Sequence, residues 1–465
     1  MTNLTNSIAI LRSKIKTGEL NPVDLIKECY TNIANHQDSL NALITIRDQA
    51  EVLNELKTLD PTGPLYGIPY VMKDGYVTKG IRTTAASRIL DSFIPPYSAT
   101  VYDKLKSAGA ILIAKTNMDA WGHGASTENT DYGIAKNPWD LSRVAGGSSG
   151  GSATALIAGM AQFAIGEDTG GSIRNPAGWN NITGLKVTYG RVSRYGAIAY
   201  ASSFDTVGPM GQSVEDLAHL LSVMAGVDPY DATSSPEPVP DYVKNLTNFN
   251  TKLKIGLPIE MFGKGLDPEI AGIIKSAAKT FENLGYQVVD VSLPIAEIGL
   301  ATYYLIAPSE TSSNLARYDG IRYGGDRSLF KQENMRRIMI GTYALSSGYY
   351  DAYYRKAQKV RTIMRDAYAK AFAECDVMLM PVSPTPATKI GELISDPQAN
   401  MLSDLYTTTI NQVGITSLAL PAGFTKGGLP VGMQLVADKF KEPTILTLGH
   451  HYQTVTNHHT LRPKI

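Results

Sequence analysis

The stretch from Val144 to Arg174 reads VAGGSSGGSATALIAGMAQFAIGEDTGGSIR. Two glycine–serine clusters, GGSSGGS at 146–152 and TGGS at 169–172, flank one apolar, alanine-rich segment. Glycine lets backbone approach a ligand closely and take φ > 0. Serine brings a hydroxyl that attacks, donates or accepts. Between the clusters, 153–160 predicts a helix and 163–165 a short buried strand. That path returns the second cluster to the first. The stretch therefore reads as a nucleophile and its proton-transfer partners, built on two loops of one site.

A serine hydroxyl is a weak nucleophile and needs a base. None of the seven histidines, His36, His123, His219, His450, His451, His458 and His459, lies in either cluster. Gly146-x-Ser148-x-Gly150 fits a nucleophile elbow, but that motif needs a strand before it, and NPWDLSRV at 137–144 is a poor one. No lysine follows the glycines as a phosphate loop requires. Asp168-Thr169-Gly170 matches an aspartic-protease triplet, but it occurs once and lacks the partner of a dyad. Lysine is the remaining base, and serine–lysine variants of the triad exist. A lysine takes a serine's proton only when its pKa falls from about 10.4 toward 7, roughly 3 units or about 4 kcal/mol. Desolvation or cationic neighbours give such a shift. Lys73, closing the apolar run GIPYVM at 67–72, is the best-placed candidate. Asp74 beside it would oppose the shift, but adjacent side chains of an extended strand point to opposite faces.

Outward from this core, strands and helices alternate with short turns, which predicts an α/β architecture. Residues 1–60 read as helices, with Asn21-Pro22 as a cap and first-turn proline. A helix at 99–108 precedes a strand at 110–115. Strands are expected near 182–189, 252–257, 286–291, 376–380, 418–420 and 431–436, and 191–203 reads as a loop. Ser213 caps a helix, and another spans 268–284. Residues 299–375 read as helical and tyrosine-rich. The whole chain is expected to form one domain, 1–465, with the 299–375 region packed on the core. At 465 residues, 43% hydrophobic and 18% charged, it has material for a large core. Lys plus Arg and Asp plus Glu are both 43, which argues against a broad nucleic-acid surface. Cys29 and Cys375 sit in no metal-ligand spacing and are expected as reduced thiols; no metal site is expected. No signal-peptide core and no apolar run of roughly 18 residues is present. A soluble, cytoplasmic protein with no membrane contact is expected.

Lys73, GGSSGGS and DTGGSIR, in this order, resemble the amidase-signature enzymes. Within that family the branch of glutamyl-tRNA(Gln) amidotransferase A subunits is the most similar, through KTNMD (115–119), ASTEN (125–129), 188–209, 309–324 and 336–362. The resemblance implies a central mixed β-sheet covered by helices on both faces. It implies Ser172 as acylated nucleophile, Ser148 as bridging serine beside a cis peptide bond, and Lys73 as base. The backbone N–H groups of Thr169, Gly170, Gly171 and Ser172 would form the oxyanion hole, with Ser149, Asp168 and Arg174 supporting. Tyr303, Arg337 and Asp404 would bind the amide's amino-acid part. The implied function is hydrolysis of glutamine to supply ammonia for converting Glu-tRNA(Gln) to Gln-tRNA(Gln), or Asp-tRNA(Asn) to Asn-tRNA(Asn). The implied partners are the B and C subunits of the amidotransferase. ATP, magnesium and mischarged tRNA would be used mainly by the B subunit, with no cofactor in this chain. The alternative is a free-standing amidase for another small amide. His123 stands where the family often has methionine, and Gly178-Trp179-Asn180-Asn181 replaces a more apolar stretch.

Overall fold

A computed structural model describes residues 3–263, 265–392, 394 and 396–465. Eleven strands form one sheet: β1 (Leu43–Ile46), β2 (Pro69–Lys73), β3 (Ile111–Thr116), β4 (Phe163–Asp168), β5 (Thr183–Lys186), β6 (Thr206–Gly211), β7 (Lys254–Pro258), β8 (Gln287–Val291), β9 (Val377–Pro381), β10 (Thr416–Phe424) and β11 (Pro430–Ala437). Their order across the sheet is β1-β3-β2-β4-β6-β5-β10-β11-β9-β7-β8. Parallel pairs (β2–β3, β2–β4, β7–β8, β7–β9) and antiparallel pairs coexist, so the sheet is mixed, and helices flank it.

The strands that carry the site are buried along their whole length. That is why PYVMK, ILIAKT and FAIGED read as near-continuous apolar runs rather than alternating ones. Tyr70 of β2 stacks on Phe163 of β4, with ring centroids 4.8 Å apart, and the parallel register continues through Val71–Ala164 and Met72–Ile165. This register brings the carboxyl end of β2, at Lys73, level with the carboxyl end of β4, at Glu167 and Asp168. Ligand sites of parallel sheets form beyond such ends.

Caps fall where the residue types place them. The Asn21 side chain accepts from Val23 N–H at 3.0 Å, opening α1 (Pro22–Leu40). Ser213 accepts from Asp216 N–H at 3.1 Å at the start of α4 (Val214–Met224), which follows α2 (Gly150–Ile157) and α3 (Arg174–Asn180). Two local expectations are corrected, and one strand had no expectation attached to it. Residues 1–60 are not all helical, because LITI forms edge strand β1, antiparallel to β3. Four residues between helices are too few for a period to declare itself. The strand β6, TVGPMG, lies inside the sheet, although glycine and proline disfavour it there. It pairs with β4 over five residues, so tertiary context outweighs propensity. Asp140–Val144 is a strand, but it lies outside the large sheet, in a ribbon with Lys136–Asn137 and a bridge from Arg143 to Lys389.

Candidate active site

Lys73 is 1% exposed, and its Nζ lies 2.8 Å from Ser148 Oγ. Burial pushes this amine below its ordinary pKa, against the opposing pull of Glu167, Asp119 and Asp205. Asp74 faces the other way, as strand alternation demands. Its carboxylate pairs with the buried Lys115 amine at 3.3 Å and takes the Thr84 N–H at 2.8 Å. Ser148 follows the cis Gly147–Ser148 peptide bond, and its carbonyl accepts from Asp119 N–H at 3.2 Å.

Ser149 joins the two loops. Its N–H donates to the Ser172 carbonyl at 3.1 Å and its hydroxyl to the Glu167 carbonyl at 3.3 Å. Ser172 is partly exposed at the turn after β4, and its hydroxyl has no hydrogen-bond partner among the described residues. That leaves it available to a substrate.

The second loop is braced from below by Asp168 and Arg174, both fully buried. Arg174 Nε lies 3.1 Å from Asp168 Oδ2 and Nη2 lies 3.0 Å from Oδ1, a bidentate pair. Arg174 also reaches Gln434 Oε1 at 3.0 Å and Asn411 Oδ1 at 2.6 Å. Burial alone would raise the Asp168 carboxyl, but the Arg174 guanidinium outweighs it and holds the acid well below the usual carboxylate range. The oxyanion-hole expectation needs one correction. Gly171 N–H donates to Asp168 Oδ1 at 2.8 Å, so it serves the brace; Thr169, Gly170 and Ser172 remain as candidate donors. The glycines also answer to crowding. A Cβ at Gly170 would lie 2.6 Å from the Tyr303 hydroxyl, and one at Gly171, whose φ is +134°, would strike the Thr407 side chain.

Arg337, Asp404 and Tyr303 come together beside this loop. Tyr303 and Tyr304 lie on α5 (Ala296–Asn314), and Arg337 on α6 (Gln332–Leu345). The two helices meet closely because Gly341 has no side chain where it crosses the Pro308 carbonyl. The Tyr303 hydroxyl lies 3.5 Å from that of Tyr200, which in turn accepts from Arg337 Nη1. The Tyr304 hydroxyl donates to Asp404 Oδ2 at 2.9 Å. Burial pushes the Asp404 carboxyl up to about 7. Arg337 Nε is tied to Glu333 Oε1 at 2.7 Å. A cation, an anion and tyrosine hydroxyls thus stand near the candidate oxyanion donors.

The sequence model of the family described as Amidase matches residues 24–446. The chain belongs to the amidase family. It is 47% identical over 479 residues to the Glutamyl-tRNA(Gln) amidotransferase A subunit of Desulfatibacillum aliphaticivorans, covering 99% of both chains. The crystal structure of the Glutamyl-tRNA(Gln) amidotransferase A subunit from Thermotoga maritima superposes with a TM-score of 0.84 at 36% identity, over 96% of this chain and 94% of that one. A 6-aminohexanoate cyclic dimer hydrolase complexed with substrate shares the fold, with a TM-score of 0.91 at 23% identity, over 99% of each.

Several residues around this amidase site escaped sequence reading. Tyr200, Tyr304, Glu333, Thr407 and Asn411 carry no local signal, since only the folded chain brings them to the pocket. Glu167 did carry one: it is a carboxylate inside the buried run FAIGED. Its Oε2 lies 3.5 Å from Lys73 Nζ. His123 is fully buried. Asn334 Nδ2 lies 2.9 Å from its Nδ1 and Thr311 Oγ1 lies 2.9 Å from its Nε2. Burial, then Arg337 and Arg336, hold its pKa far down, so it is neutral and packs its ring edge-on to Tyr200. Among the described residues no helix is long and apolar enough to cross a membrane, and Cys29 and Cys375 are buried free thiols.

Proposed function

We propose that this chain is the glutaminase subunit of a tRNA-dependent amidotransferase. The observation that supports the chemistry is the 2.8 Å contact between Lys73 Nζ and Ser148 Oγ, both buried. In this reading Ser172 Oγ attacks the side-chain carbonyl carbon of glutamine. Its proton passes to Ser148 Oγ as the Ser148 proton passes to Lys73. The N–H groups of Thr169, Gly170 and Ser172 face the oxyanion; such donors typically contribute about 3–4 kcal/mol each. The proton returns from Lys73 through Ser148 to the leaving nitrogen, and ammonia departs. Water then attacks the acyl-enzyme by the same relay and frees glutamate.

The choice of substrate rests on Arg337 and Asp404. Glutamine carries an α-carboxylate and an α-ammonium group, and a buried guanidinium and a buried carboxylate match them. The relatives' names support a place in such an amidotransferase. In this reading ammonia passes to the B subunit, which amidates glutamyl-tRNA(Gln) or aspartyl-tRNA(Asn) with ATP and magnesium. A small C subunit completes the cytoplasmic complex. The test is purification with native partners, followed by assays of glutamine hydrolysis and tRNA amidation. The reading expects both activities, lost together in Ser172→Ala. Should Arg337→Ala and Asp404→Ala leave hydrolysis unchanged while Ser172→Ala abolishes it, the chain is a free-standing amidase for another small amide. Failure of a fluorophosphonate to label Ser172 would make it a silent scaffold.

A further inference from the structure

The amine of Lys73 has a second neighbour that the triad does not use. Glu167 is 2% exposed, and its Oε2 stands 3.5 Å from Lys73 Nζ, in addition to the contact with Ser148. Its other oxygen, Oε1, is buried with no hydrogen-bond partner among the described residues. The other carboxylates facing this pocket are engaged elsewhere. Asp119 accepts from the N–H groups of Thr127 and Asn129 at 2.9 and 3.1 Å. Asp205 accepts from the Thr169 hydroxyl at 2.7 Å and from the N–H groups of Ala201 and Tyr200 at 3.0 and 3.1 Å. Asp168 is locked to Arg174. Arg194 acts on Glu167 only at longer range, and Tyr76 turns its hydroxyl to the Gly166 carbonyl at 2.7 Å. Among the described residues, Glu167 alone pairs its charge directly with the catalytic amine.

We propose that Glu167 is the positioning residue for Lys73: its carboxylate aims the amine at Ser148 and stabilises the ammonium formed when the Ser148 proton arrives. This rests on the serine–serine–lysine reading above. The geometry repeats the logic of a base oriented by a third group. No proton is gained or lost overall, since the one Lys73 receives from Ser148 returns with the leaving ammonia. The physical consequence has a definite sign. A buried negative charge beside an amine favours its cationic form. Removing that charge makes the neutral base available at lower pH.

The experiment is a direct titration of Lys73 in the chain with its native partners, labelled with lysine carrying ¹³C at Cε; Lys73→Arg assigns the signal. Glu167→Gln keeps the shape and removes the charge. It is expected to lower the Lys73 midpoint by at least one pH unit, tenfold more neutral amine at a given pH, and to move the acid limb of glutamine kcat/KM the same way. Glu167→Ser, a second uncharged replacement, is expected to do likewise, and Glu167→Asp to restore most of the wild-type midpoint. An unchanged Lys73 midpoint in the uncharged variants overturns the proposal, whether or not glutamine is turned over. Failure of the serine–serine–lysine reading would appear instead as turnover that survives Ser172→Ala.

Discussion

Around Ser172, each side chain that shapes the loop is itself pinned by a buried partner: Asp168 by Arg174, Arg174 by Gln434 and Asn411, Ser149 by the Glu167 carbonyl. Arg337 and Asp404 are held differently. They sit outside the large sheet, Arg337 on helix α6, and are held by Tyr200, Glu333 and Tyr304, side chains that lie outside the sheet themselves. In the proposed function the contrast separates two tasks. Bond breaking needs atoms placed within a fraction of an ångström, and a close-packed sheet end supplies that rigidity. Recognition of a flexible amino acid needs charge of the right sign, and side chains on packed helices provide it with fewer restraints.

Breaking the chemical end gives the largest effect. Ser172→Ala, or Lys73→Ala, is expected to lower kcat for glutamine by roughly 10⁴-fold or more, measured by glutamate release, while glutamine still protects the chain against heat. Breaking the brace comes next. Arg174→Ala leaves Asp168 as an unpaired buried charge, which costs about 3–5 kcal/mol; denaturant unfolding is expected to show that loss. At the recognition end, Arg337→Ala is expected to raise KM for glutamine roughly ten- to hundredfold, from the loss of about 1.5–3 kcal/mol of charge-assisted bonding, with kcat changed little. A fall in kcat equal to the rise in KM would erase the division between the two ends. The smallest effect is a pH dependence. In the proposed function Asp404 would hold the ammonium of glutamine only as an anion, and with burial pushing its pKa up to about 7 that anion persists above this pH and is lost as pH falls through it. KM for glutamine is expected to rise about tenfold per unit below pH 7, and Asp404→Asn to flatten that slope.

The chemical end was legible because its residues are close in sequence and unusual in composition. GGSSGGS and DTGGSIR each supply a whole loop, and a lysine closing an apolar strand stands out against its neighbours. The sheet was legible where strands are buried and apolar, and illegible at β6, where the pairing partner rather than the residue types decides. Arg337, Asp404 and Tyr303 entered only through family resemblance. Seen alone, they are a helix charge, a loop acid and a core aromatic, and nothing local couples positions 303, 337 and 404. Glu167 is the instructive miss. A carboxylate in a fully buried strand demands a partner, and that demand points to the amine on the adjacent strand.

Lys73 and Asp74 are consecutive residues that each end in a buried pair of opposite sense, one with Glu167 and the other with Lys115. Sliding β2 by a single residue against its neighbours would put one of them in the other's place, a carboxylate toward Glu167 or, in the opposite direction, an ammonium toward Lys115, like facing like in a dry interior. The assembly error that would ruin the enzyme is thus also the one the folded chain tolerates least, so quality control of the product is written into the same two side chains that prepare it for work.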